Sequence, residues 1–233
     1  MLFDCSPATR RTFLSVLLLR CLTACLTLAS LGTSSAATPV EARARPVILI
    51  VGDSLSAEYG LPRGTGWVQL LAERLRSSGF DYTVANSSIS GETTSGGRAR
   101  LPALLTEQRP RIVIIALGAN DGLRGLPLTA MRDNLAAMVR ASRAAGAAVL
   151  LVGVRIPPNY GRDYAERFAT TFGSVAKELG VPLAPFLLDG FAESLDYFQS
   201  DRIHPNEAAQ ARMLDNVWRD LRPLLADKAV KAR

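Results

Sequence analysis

The chain has 233 residues and a formal net charge of +6, and its arginines are spread along the sequence with no basic run. A solvated surface explains that excess better than a nucleic-acid partner does, and no nucleic acid is expected. All three cysteines, Cys5, Cys21 and Cys25, stand near the amino terminus, so the rest of the chain has no disulfide, no thiolate nucleophile and no thiolate metal site.

Residues 1–37 differ in kind from the remainder of the chain. Arg10 and Arg11 precede an apolar region from Phe13 to Leu31, and Ser35-Ala36-Ala37 offers small residues to a signal peptidase. This predicts an export signal cut near Ala37 and a periplasmic or secreted mature protein. Thr9-Arg10-Arg11-Thr12-Phe13-Leu14 has the look of a twin-arginine signal, and Leu22-Thr23-Ala24-Cys25 that of a lipoprotein cleavage box with Cys25 as the lipidated residue. Arg20 interrupts the apolar region, so the unbroken stretch of about 20 apolar residues that a membrane anchor needs is missing. Residues 38–233 suffice for a single domain that buries roughly 70% of the surface of its unfolded chain.

After a short polar lead-in, Pro46-Val47-Ile48-Leu49-Ile50-Val51 reads as a strand covered on both faces, as in a parallel sheet flanked by helices. It stops at Gly52-Asp53-Ser54, which delivers a serine to the carboxyl end of the strand, where such sheets place their ligands. A glycine-rich loop comes next, Gly60 to Gly66. Trp67, Leu70, Leu71 and Leu75 then recur at helical spacing, and Gly79 ends that helix. Tyr82–Asn86 is a second strand, residues 94–107 a helix, and Ile112–Leu117 a third strand ending in Gly118-Ala119-Asn120-Asp121-Gly122. A helix from about Pro127 runs to Gly146. Ala148–Val152 is the fourth strand, with a long loop from Ile156 to Gly161 beyond it. Residues 163–179 form the next helix and Val181–Ala184 a short fifth strand. Residues 186–203 read as a short helix and a loop. The last helix, from Asn206 to about Leu225, puts Ala209, Met213, Val217 and Leu221 on one face. Five strands alternating with helices imply an α/β fold, a doubly wound parallel sheet in a flavodoxin-like three-layer α/β/α sandwich.

The chain has one histidine, His204, in Asp201-Arg202-Ile203-His204-Pro205. Asp201 stands three residues earlier and can meet the ring across one turn, hold its tautomer and stabilise the imidazolium, leaving the other nitrogen to take a proton from a serine. A hydroxyl needs such a base before it attacks a carbonyl, and the resulting oxyanion needs donors aimed at it. Ser54, Gly91 and Asn120 come after strands one, two and three, so all reach the same rim. Gly91 can present a backbone N–H closely because it has no side chain, and Asn120 its amide nitrogen.

Taken in order, Gly52-Asp53-Ser54-Leu55-Ser56, Asn86-Ser87-Ser88-Ile89-Ser90-Gly91-Glu92-Thr93, Gly118-Ala119-Asn120-Asp121 and Asp201-Arg202-Ile203-His204-Pro205-Asn206 resemble the four blocks of the SGNH, or GDSL, hydrolase family. The resemblance covers nearly all of residues 46–222. It implies a nucleophile at Ser54, an acid and a base at Asp201 and His204, and an oxyanion hole from Ser54, Gly91 and Asn120. Within the family, Gly118 to Gly125, Pro158-Asn159-Tyr160-Gly161 and His204-Pro205-Asn206 look like the loops of the periplasmic acyl-CoA thioesterase, lysophospholipase and arylesterase group. Ala119 stands where a glycine is common, which is harmless at negative φ. Glu58 stands where a small residue is common, which bears on the rim of the pocket.

These residues predict an esterase and thioesterase working through an acyl-enzyme on Ser54, with no cofactor and no metal. Its substrates are small acyl esters or thioesters, and a monomer without a stable partner protein is expected. Leu123, Leu126, Ile156, Pro157, Pro158 and Tyr160 are the expected lining of an acyl groove. An acyltransferase or a deacetylase of polar substrates would use the same serine. A flavodoxin-like binding module shares the sheet, but no phosphate-cradling glycine motif comes after any strand. A metallohydrolase is poorly served by one histidine and carboxylates.

Overall fold

The computed structural model describes residues 45–226, with the side chain of Pro158 aside; the predicted export signal at 1–37 and Cys25 lie outside the described residues. A five-stranded, wholly parallel sheet runs through the middle in the order β2-β1-β3-β4-β5, with β1 at Val47–Gly52, β2 at Thr83–Asn86, β3 at Ile112–Ala116, β4 at Ala148–Val152 and β5 at Leu183–Ala184. β1 and β3 are uniformly apolar because helices cover both their faces. Ile48, Leu49, Ile50, Val51 and the whole of β3 are buried, and each such large side chain contributes about 1.5–3 kcal/mol by leaving water.

On one face lie α1 (Trp67–Ser77) and α6 (Gln210–Ala226). On the other lie α2 (Thr94–Gln108), α4 (Leu128–Ala144) and α5 (Arg162–Leu179). The predicted apolar positions explain this packing: Trp67, Leu71 and Leu75 of α1 are fully buried, as are Met213, Val217 and Leu221 of α6. The last helix begins as a 3₁₀ turn, Glu207–Ala209, before α6 proper. No described helix is long and apolar enough to cross a membrane.

Two elements depart from the sequence-based expectation. The fifth strand is only Leu183–Ala184, shorter than Val181–Ala184, and Gly118 to Leu123 is not a simple loop. A five-residue helix, α3 (Ala119–Leu123), starts there, with Gly118 at its N-cap at φ 127°. A side chain at Gly118 would be strained at that angle and would meet Phe172 at 2.9 Å. This glycine therefore turns the chain sharply out of β3 and into the helix that carries Asn120.

The strand order locates the binding crevice. Chain connections leave β1 toward β2 on one side and β3 toward β4 on the other, and the crevice outside the carboxyl ends at such a switch point is where open α/β sheets bind ligands. Ser54 comes just after β1 and Asn120 just after β3, so they flank that point.

Candidate active site

The turn after β1 is held by its own backbone and by a distant tryptophan. Ser56 N–H and Ala57 N–H both donate to Asp53 O, at 3.1 and 3.0 Å, and buried Trp67 donates its indole N–H to Leu55 O at 3.1 Å. Asn86, at the end of β2, donates its amide to Ser56 O at 2.7 Å. Ser54 is left half-buried on a turn fixed from three directions.

Residues 198–205 close a small hairpin. Phe198 and Pro205 form an antiparallel bridge, Gln199 N–H donates to His204 O at 2.8 Å, and Arg202 turns the chain at φ 57°. Asn206 donates its amide to Asp196 O at 2.7 Å and anchors the base of the loop. Within it, Asp201 Oδ1 accepts from the N–H groups of Ile203 and His204, both at 3.0 Å, and Oδ2 pairs with His204 Nδ1 at 2.6 Å. One carboxylate thus orders the turn with one oxygen and orients the ring with the other. His204 Nε2 reaches Ser54 Oγ at 2.9 Å.

Burial works against the charge on Asp201, but the backbone N–H groups of His204 and Ile203 and the ring of His204 outweigh it and hold the carboxyl at about 2. It is ionised throughout the range in which the protein would work. Asp53, beside the serine, behaves oppositely. Its carboxyl is 1% exposed, and burial pushes it up from 3.8 to about 7, against the pull of hydrogen bonds from Leu55 N–H and its own N–H and with a further push from Asp121 and Glu92. The folded state then holds a proton that the unfolded chain has released between pH 4 and 7, so stability falls as pH rises through that window. Asp53→Asn, which keeps an acceptor for Leu55 N–H, should remove that part of the decline and raise stability above pH 7 by on the order of 2–4 kcal/mol. Urea unfolding at pH 5 and pH 8 checks this, and an unchanged difference between the two pH values would rule Asp53 out as the source.

Gly91 and Asn120 arrive from β2 and β3. Ile89 N–H donates to Gly52 O at 3.0 Å, which draws the Gly91 loop against the serine turn, and Gly91 has φ 79°. Asn120 Nδ2 donates to Glu92 O at 3.0 Å, which leaves its second amide hydrogen available. Among the described residues the N–H groups of Ser54 and Gly91 have no protein acceptor. Arg124, which nothing in the sequence pattern singled out, donates to Gly91 O at 2.8 Å and steadies this loop from outside. Buried Asp121 accepts from Thr94 N–H at 2.8 Å and from its hydroxyl at 2.5 Å, which ties α3 to α2.

The expected groove residues divide. Leu123 and Leu126 are half-buried, Pro157 is exposed and Tyr160 is 43% exposed, with Pro158–Tyr160 forming a 3₁₀ turn. Ile156 does not stand on the rim: it is 7% exposed within the core, because Gly122 has no side chain and Ile156 and Phe168 fill the space a Cβ there would need. Ala119 has a negative φ and starts α3 without strain. Glu58 has φ 57°, a left-handed conformation that residues with a side chain rarely adopt, and its carboxylate accepts from Gly64 N–H and Gly66 N–H at 2.8–3.1 Å. It therefore braces the loop that precedes α1. A cavity lined by Arg45, Arg76, Phe80 and Tyr82 lies beside the amino end of β2, away from this rim. Among the described residues no group of three or more His, Cys, Asp or Glu side chains could hold a metal.

A parallel sheet that presents a serine, a histidine and an aspartate in hydrogen-bonded sequence at the carboxyl ends of its strands has the arrangement of a serine hydrolase. The chain belongs to the GDSL-like Lipase/Acylhydrolase family, whose model matches residues 50–212. It is 51% identical over 182 residues to Esterase TesA of Pseudomonas aeruginosa, covering 78% of this chain and 90% of that one. It is 41% identical over 185 residues to Thioesterase 1/protease 1/lysophospholipase L1 of Escherichia coli, covering 79% and 88%. The crystal structure of psychrotrophic esterase EstA from Pseudoalteromonas sp., inhibited by monoethylphosphonate, superposes with a TM-score of 0.73 at 42% identity, covering 77% of this chain and 98% of that one.

Proposed function

We propose that this enzyme cleaves carboxylic esters and thioesters through an acyl-enzyme on Ser54, with His204 as base and acid, Asp201 as its orienting carboxylate, and Ser54, Gly91 and Asn120 as the oxyanion hole. The observation that carries this reading is the relay from Asp201 Oδ2 to His204 Nδ1 at 2.6 Å and from Nε2 to Ser54 Oγ at 2.9 Å. Esterase and thioesterase relatives support the substrate class.

Ser54 Oγ attacks the carbonyl carbon as His204 Nε2 takes its proton. The carbonyl oxygen becomes an oxyanion that accepts from Ser54 N–H, Gly91 N–H and the free Asn120 amide hydrogen. The bond to the leaving oxygen or sulfur breaks as His204 returns the proton to it, and the acyl group stays on Ser54. Water repeats the sequence: His204 takes its proton, the hydroxyl adds to the acyl carbon, and collapse frees the acid with the proton back on Ser54. Asp201 stays charged in every step, which its position at about 2 favours.

A fluorophosphonate probe should label the protein once, at Ser54, and peptide mapping would place the adduct; labelling elsewhere, or none, would refute the assignment. Half-buried Leu123 and Leu126 and exposed Tyr160 support a groove that takes acyl chains, and a single chain supplies every group named, which supports action as a monomer. The leader supports export to the periplasm or beyond. Cell fractionation tests it, since a full-length product confined to the cytoplasm contradicts export.

A further inference from the structure

Tyr59 stands beside the histidine and has no part in the chemistry above. Its ring centroid lies 4.4 Å from that of His204 at a 38° tilt, yet the residue is 50% exposed. This placement is built from several contacts. Glu58, the residue before it, is tied to the loop that follows by accepting from Gly64 N–H and Gly66 N–H. Tyr59 O accepts from Gln199 Nε2 at 2.8 Å, the same nitrogen donates to Pro205 O at 3.1 Å, and Gln199 N–H donates to His204 O at 2.8 Å. One glutamine thus fastens the tyrosine backbone to the histidine hairpin, so the two rings are held together by their main chains as well as by their own contact.

A ring in that position bears on one half of the substrate. When His204 Nε2 hands its proton to the leaving atom, that atom lies about 3 Å from Nε2, and the group it carries passes alongside the imidazole. The acyl chain departs from the carbonyl carbon on the other side of the breaking bond. Resting on the roles given to Ser54 and His204, we propose that Tyr59 determines leaving-group specificity: its exposed ring is the wall against which the departing group packs, and it favours flat aromatic leaving groups. Aromatic pairing beyond simple burial is worth a factor of about 2–10. The apolar groove selects for the acyl chain, and Tyr59 adds a separate selection on the alcohol side.

The test compares phenyl octanoate with cyclohexyl octanoate, which share an acid and differ in the planarity of the leaving group. Tyr59→Leu should lower kcat/KM for the phenyl ester about 2- to 10-fold and leave the cyclohexyl ester unchanged, while Tyr59→Phe should behave as the parent on both. Decay of the octanoyl-enzyme, tracked in single turnover, should not change in either variant, because the leaving group has gone by then. Equal losses on the two esters, or deacylation slowed as much as acylation, would overturn the inference and make Tyr59 a support for His204. A parent protein that forms no octanoyl adduct on Ser54 would overturn the proposed function instead, and mass spectrometry of the intact protein distinguishes the two failures.

Discussion

Ser54→Ala is expected to leave a folded protein whose kcat falls by about 10⁴–10⁶-fold, and His204→Ala to lose about as much. The losses should be similar and not additive in the double variant, because an unactivated hydroxyl and an imidazole with nothing to deprotonate are equally idle. Folding should survive in both. Ser54 is half-buried on a turn that Asp53, Trp67 and Asn86 hold through other atoms, and the hairpin around His204 is closed by backbone bonds and by Asn206. Steady-state hydrolysis of a p-nitrophenyl ester, with urea unfolding alongside, measures both claims. A folded Ser54→Ala protein with near-parental turnover would remove the serine from the mechanism.

How far such a site can be read in advance depends on where its order comes from. Strands β1, β3 and β4 were legible because burial on both faces demands continuous Val, Ile, Leu and Ala, and the serine, glycine and asparagine stand at the ends of those runs or of β2. The pairing of Asp201 with His204 was legible because it spans one turn. The rest of residues 186–203 was not. Its shape rests on side chains bonded to backbone far along the chain, as Gln199 to Tyr59, and on Arg202 in a left-handed conformation, none of which leaves a period in the sequence. A five-residue helix such as α3 is likewise too short to show one. Ile156 illustrates a different limit: an apolar residue after a strand can serve rim or core, and only the missing side chain at Gly122 decides it. Tyr59 and Arg124 carried no signal beyond their places near the serine and the asparagine.

Asn120 is the residue whose assignment most needs separating from a structural role, because its amide already donates to Glu92 O at 3.0 Å. If it serves the oxyanion, its second hydrogen forms its main bond only once the carbonyl oxygen carries charge, so its loss raises the barrier and leaves ground-state binding alone. Asn120→Ala should then lower kcat by about 10²–10³-fold with KM nearly constant, in both acylation and deacylation, since each passes through the same oxyanion. If its task is instead to hold the Gly91 loop, removal would loosen that loop, and KM and thermal stability would change together. The loop has other ties that keep these outcomes apart: Arg124 still donates to Gly91 O at 2.8 Å, Ile89 N–H to Gly52 O at 3.0 Å, and the Arg100 guanidinium still pairs with Glu92, Nε to Oε2 at 2.7 Å. Asn120→Asp sharpens the comparison. It matches the amide in shape but puts acceptors both where the oxyanion needs a donor and against Glu92 O, so it should fall below the alanine variant in kcat. An Asn120→Asp protein more active than Asn120→Ala would mean that the side chain fills space and donates nothing to the reacting oxygen.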